Sequence, residues 1–127
     1  MPILQVTEDT FEDEVLKADK LVLINFFSPL SAKCAEFAKT LEEFAAKHKE
    51  FLKVVRIDVD LCPNLTEAFG VEKIPAVVTI KQDRALLGVF GVLIPEMLQR
   101  LVEQSLQMLH KHHINKGSPE GPTPPAL

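Results

Sequence analysis

Asn25-Phe26-Phe27-Ser28-Pro29-Leu30-Ser31-Ala32-Lys33-Cys34 is the stretch on which the fold turns. Leu21 to Phe27 is almost wholly apolar, as a central strand covered on both faces would be. Ser28-Pro29 breaks that run, and Ala32 to Lys49 then has helical spacing, with Ala35, Phe37, Ala38, Leu41, Phe44 and Ala45 on one side. Ser31 stands where the helix begins. Serine is a favoured N-cap, and its oxygen can accept from the amide of Cys34 or of the residue before it. The segment therefore reads as strand, tight loop and helix start.

The same alternation extends to both sides. Ile3 to Val6 is a short strand, followed by Asp9 and Glu12 as N-cap and capping-box pair for a helical stripe of Phe11, Val15 and Leu16. Leu52 to Asp58 reads as a further buried strand. Pro63 to Phe69 is a short helix with a first-turn proline and a stop at Gly70. Ala76 to Lys81 and Ala85 to Phe90 are strands separated only by Gln82-Asp83-Arg84, which forces an antiparallel hairpin. Pro95 opens a last helix whose Leu98, Leu101, Val102 and Leu106 face inward. The order β-α-β-α-β-α-β-β-α implies an α/β protein: a mixed sheet of about five strands flanked by four helices on both faces. Residues 1–114 form one domain. From Asn115 onward four prolines and two glycines among few apolar residues cannot build a core, and residues 115–127 read as a disordered tail.

Composition narrows the function classes. The chain has 127 residues, Lys+Arg 14 and Asp+Glu 18, a net charge of −4. That balance argues against nucleic acid as a partner. No apolar run approaches the roughly 20 residues that span a bilayer, so no membrane association is expected, and no secretory signal is visible. Two cysteines, Cys34 and Cys62, are too few for a disulfide scaffold or a four-cysteine zinc site, and a reducing, cytoplasmic setting is the simplest expectation. No phosphate-binding loop, zinc-protease motif or serine nucleophile elbow occurs, and no cofactor is expected. His110-Lys111-His112-His113 ends the last helix, where cations complement the dipole. His110 and His113 alone are too few for a metal site, so no metal is expected.

Three segments in order then resemble the thioredoxin family, over about Val6 to Leu109. The stretch 25–34 stands where that family has a strand, an aromatic-rich loop and Cys-x-x-Cys at a helix start. Val71-Glu72-Lys73-Ile74-Pro75 matches the segment carrying its cis-proline. Phe90-Gly91-Val92 matches its glycine loop. The resemblance implies the thioredoxin fold and a groove around Ile74, Pro75, Gly91 and Leu30 that pairs with extended peptides. It also implies that Ser31 occupies the nucleophilic cysteine's position and Cys34 that of the resolving one, a degenerate Ser-x-x-Cys motif. The family's buried aspartate matches Asn25, which cannot accept a proton, and a nearby lysine matches Arg56. The two tryptophans become Phe27 and Leu30. A serine hydroxyl cannot attack a disulfide usefully at neutral pH.

Ser31 reads either as a plain N-cap or as a hydroxyl with a chemical role. Cys34 reads either as a small buried hydrophobe or as a residual thiol. Cys62, just before Pro63, is expected at the surface, either without a role or as a redox-sensitive, glutathionylated or cross-linking thiol. A Cys34–Cys62 disulfide is not expected, since the two lie on distinct elements of that fold. Two functions follow. The first is a protein- or peptide-binding, chaperone-type module without dithiol reductase activity. The alternative is a monothiol oxidoreductase in redox homeostasis, using Cys34 or Cys62 with glutathione or one partner protein.

Overall fold

A computed structural model describes residues 3–115. Five strands form one sheet: β1 (Leu4–Gln5), β2 (Leu21–Phe27), β3 (Leu52–Asp58), β4 (Ala76–Lys81) and β5 (Arg84–Phe90). Their order is β1-β3-β2-β4-β5, with β1 and β2 parallel to β3, and β4 antiparallel to both β2 and β5. The helical segments are α1 (Glu12–Leu16), α2 (Ala32–Lys47), α3 (Pro63–Ala68) and α4 (Pro95–Asn115). The mixed sheet with helices on both faces matches the sequence expectation. The last helix runs through Asn115; the rest of the proline-rich tail lies outside the described residues.

The sheet is central because every residue of β2 is buried. Alternate side chains feed two cores. Leu21 and Leu23 with Leu52 and Val54 meet Phe37, Leu41 and Phe44 of α2 and Leu98, Leu101 and Val102 of α4. On the other face Val22, Ile24 and Phe26 with Val55 and Ile57 meet Val15 of α1 and the segment around α3.

Several local expectations are corrected. Asp9 and Glu12 do not cap α1. Thr10 instead accepts from the Thr7 amide at 2.9 Å, and α1 is a single wide turn closed by Lys17 N–H on the Glu12 carbonyl. Lys53 pins this turn to β3 through the Glu14 carbonyl and carboxylate. The stripe on α2 is narrower than expected, because Ala35 is exposed and Cys34 takes a buried position. β5 begins at Arg84, leaving a two-residue turn with Gln82 at φ +56°.

On α4 Leu106 is 36% exposed, and Ser105 faces the core instead. Its hydroxyl lies 2.6 Å from that of Thr79 and donates to the Leu101 carbonyl, while Thr79 Oγ1 also accepts from the Leu87 amide. A polar knot thus fixes α4 on the hairpin. Thr79→Val leaves the Leu87 N–H without its acceptor and is expected to cost about 1–3 kcal/mol in urea unfolding. Adding Ser105→Ala is expected to cost less than the sum of the two single changes, since the two hydroxyls partner each other.

Candidate functional site

β2 ends at Phe27 and the chain turns at once. Ser28 Oγ accepts from the Leu30 amide at 3.2 Å and donates to Asp60 Oδ2 at 2.9 Å. The Val59 amide donates to the Phe27 carbonyl, so the loops after β2 and β3 are tied together. Asp58 Oδ1 accepts from the Asp60 amide at 2.8 Å and holds Asp60 in place. Nothing in the sequence indicates that Ser28 and Asp60 meet; the Ser-Pro pair at the strand end is the available signal for the turn.

The loop delivers Ser31 to the start of α2. Its hydroxyl accepts from the Cys34 amide at 3.2 Å, the cap geometry expected for serine. Cys34 follows in the first turn and is 1% exposed. Beneath lies a polar layer within the sheet. Asn25, paired in register with Arg56, donates through Nδ2 to the carbonyls of Ala76 and Phe26. Its Oδ1 faces Arg56 Nε at 3.5 Å. The Arg56 guanidinium stacks on Phe27, 3.7 Å from the ring centroid. Asn25 therefore acts as a structural bridge from β2 to β4, and a neutral amide can do this without the desolvation penalty of a carboxylate.

The Ile74–Pro75 peptide bond is cis. The Pro75 carbonyl accepts from the Gly91 amide at 2.7 Å, and Gly91 has φ +108°, a conformation that suits glycine. A shallow groove is lined by Lys73, Ile74 and Pro75 on one side, Phe90, Gly91 and Val92 on another, and Lys33 and Glu36 of α2. The structure thus brings Ile74, Pro75 and Gly91 together beside the first turn of α2. Leu30 stands at the preceding loop tip, 89% exposed, outside the lining of that groove.

Cys62 departs from expectation: it is 1% exposed rather than on the surface. The cause is Glu8. Its carboxylate accepts from the amides of Asn64 and Leu65 and from Asn64 Nδ2, supplying the cap that Cys62 itself does not give to α3. This hook draws the segment after β1 over the cysteine, whose Sγ lies 4.0 Å from the Val6 carbonyl. Burial pushes the Cys62 thiol up from its ordinary range; a hydrogen bond with the Glu8 backbone opposes this, and the smaller charge effects of Glu8 and Asp58 add to the rise. Cys34 and Cys62 are both free; Cys34 stands on α2, whose core residues meet one face of the sheet, and Cys62 packs in the core on the other.

The raised thiol sets a sign. In the unfolded chain Cys62 ionises near 8.5, below its folded value. Its contribution to stability is therefore whole below about pH 8.5 and is lost as pH rises towards the folded value. Glu8→Gln weakens the hook and is expected to lower stability by about 1 kcal/mol. It is also expected to speed iodoacetamide labelling of Cys62 while leaving Cys34 unchanged, read by mass spectrometry of native protein.

Among the described residues no group of three or more His, Cys, Asp or Glu side chains could hold a metal ion. His110 is exposed on α4; the side chains of His112 and His113 lie outside the described residues. No helix among the described residues is long and apolar enough to cross a membrane.

Comparison with known proteins places this geometry in context. The family model described as Thioredoxin matches residues 2–104. The chain is 30% identical over 102 residues to thioredoxin 1 of Nostoc sp., covering 80% of this chain and 95% of that protein. It is 30% identical over 104 residues to a thioredoxin of Acidithiobacillus ferridurans, covering 82% and 96% respectively. An M-type chloroplastic thioredoxin of Chlamydomonas reinhardtii is 29% identical over 101 residues, covering 80% of this chain and 72% of that one. The crystal structure of chloroplastic thioredoxin z superposes with a TM-score of 0.74 at 25% identity, covering 84% of this chain and 96% of that one. The fold is the thioredoxin fold.

Proposed function

The chain belongs to the thioredoxin family, and on that premise we propose that it is a protein- or peptide-binding, chaperone-type module that does not run the dithiol cycle. The observation that carries this reading is the start of α2. The residue that presents its side chain at the helix N-terminus is Ser31, and its hydroxyl is engaged in capping the Cys34 amide. The attacking sulfur of a Cys-x-x-Cys pair would stand at that position. A hydroxyl there stays protonated near neutral pH, whereas a thiol at a helix start becomes thiolate. Asn25 supports the same reading. Its amide donates to two carbonyls and has no proton-accepting role in a thiol exchange.

The binding surface comprises Leu30 and the groove of Ile74, Pro75 and Gly91. Proteins are its partners, in a compartment where both thiols stay reduced, such as the cytoplasm. The monothiol alternative, with glutathione as co-substrate, gains less support, because Cys34 and Cys62 are each 1% exposed and burial raises the Cys62 thiol.

Light scattering by a heat-denatured client enzyme tests the proposal. The protein is expected to suppress aggregation equally with and without excess dithiothreitol, and Leu30→Asp is expected to weaken the effect. Suppression that vanishes in reductant would point to thiol chemistry and contradict the proposal.

A further inference from the structure

Ala85-Leu86-Leu87-Gly88-Val89-Phe90-Gly91-Val92-Leu93-Ile94-Pro95 holds eleven successive residues without a charged or hydrogen-bonding side chain. Such a run is ordinary in a central strand. Here it forms most of β5, the outermost strand of the sheet, and the loop into α4. Most of it is exposed: Phe90 is 49% accessible, Val92 42%, Ile94 55% and, one turn into α4, Met97 53%. Natural edge strands are usually guarded by lysines, prolines or covering loops. After Arg84 this one carries none until Pro95.

The main chain is available too. The amide of Leu87 points inward to Thr79 Oγ1 and that of Gly91 inward to the Pro75 carbonyl. Backbone groups alternate in direction along a strand, so the N–H and C=O of Gly88 and Phe90 point outward from the sheet. Gly88 adds no side chain to obstruct an approaching backbone.

We propose that the outer edge of β5 receives an extended, uncharged, apolar segment of a partner protein, which pairs with Gly88 and Phe90 as a sixth strand and continues into the Pro75–Gly91 groove. The proposal rests on the binding-module reading and specifies how the partner docks. Area favours a different protein over a second copy. Phe90, Val92, Ile94 and Met97, each about half exposed, together with Val89 at 36%, amount to on the order of 400–500 Å² per chain. Two edges meeting each other would then bury about 1,000 Å², short of the roughly 1,200 Å² of specific interfaces. A partner that also covers the adjoining groove, where Phe90, Gly91 and Val92 already form one wall, buries more than two edges alone can. Strand addition supplies affinity through main-chain bonds, and the apolar wall selects alternate side chains.

The test uses ¹⁵N-labelled full-length chain titrated with an end-blocked heptapeptide of alternating Thr and Val. A control peptide is N-methylated at every residue, so that neither of its edges can pair. Binding is expected to slow hydrogen exchange at Gly88 and Phe90 at least tenfold, with little change at Leu87. The N-methylated peptide is expected to leave these amides unchanged. Gly88→Pro removes one outward donor at an edge position that tolerates proline and is expected to weaken binding at least fivefold. Val89→Lys, which keeps every main-chain group, is expected to weaken it as well. Three results overturn the proposal: no binding at all, binding that shifts only Leu30, Ile74 and Gly91, or concentration-dependent protection of Gly88 without peptide. The second leaves the binding-module reading standing. The third assigns the edge to a second copy of the chain.

Discussion

Phe37→Ala is expected to destabilise the protein by about 3–5 kcal/mol, a large share of the roughly 5–15 kcal/mol typical of a domain. Phe37 is fully buried between α2 and the sheet, in the core that also holds Leu23, Leu41 and Leu98. Its removal leaves a void lined by several elements that cannot all close in. In a calorimetric scan the midpoint is expected to fall by roughly 10–20 °C. The change also reaches the site, because Phe37 lies one turn beyond Cys34 and seats the start of α2. Labelling of Cys34 in native protein is therefore expected to accelerate. An unchanged midpoint would mean that α2 does not anchor the domain as its burial implies.

Ser31→Cys is the second large effect. It places a thiol where the Ser31 hydroxyl now meets the α2 amides, three residues before Cys34. The variant is expected to form an intramolecular disulfide with Cys34 on mild oxidation, seen as a two-dalton mass loss that dithiothreitol reverses. It is further expected to show disulfide-reductase turnover that the parent lacks. Asn25→Asp added to this variant supplies a proton acceptor beneath the pair. It is expected to raise turnover by about 100-fold, the lower end of general acid–base contributions. That carboxylate would sit beside Arg56, whose guanidinium can balance its charge. A Ser31→Cys variant that stays fully reduced under oxidant would show that the scaffold no longer supports the pair.

The sequence made the frame legible because its strongest signals were long and local. The apolar run of β2, the helical stripe of α2 and the short link between β4 and β5, read one residue too long, each fixed an element and its neighbours. The cap at Ser31 was readable for the same reason, since donor and acceptor lie three residues apart. What escaped was set by contacts distant in sequence. Glu8 buries Cys62 by reaching Asn64 and Leu65, and nothing near Cys62 announces that cover. Ser105 replaces Leu106 in the core because Thr79 awaits it from another element. Ser28 meets Asp60 across two loops. Polar partners of this kind carry no periodicity, so patterns of hydrophobicity pass over them. The groove residues Ile74, Pro75 and Gly91 came instead from the resemblance, and they stand together in the fold. The run from Ala85 to Pro95 was readable as strand and helix start, yet its exposure depended on β5 lying at the sheet's edge.

Turbidity from insulin reduced in the presence of dithiothreitol tests most directly whether this thioredoxin-family chain has lost the reaction of its relatives. The unmodified protein is predicted to give the same lag and slope as dithiothreitol alone, while Ser31→Cys shortens the lag. An unmodified protein that accelerates precipitation as a dithiol thioredoxin does would contradict the account.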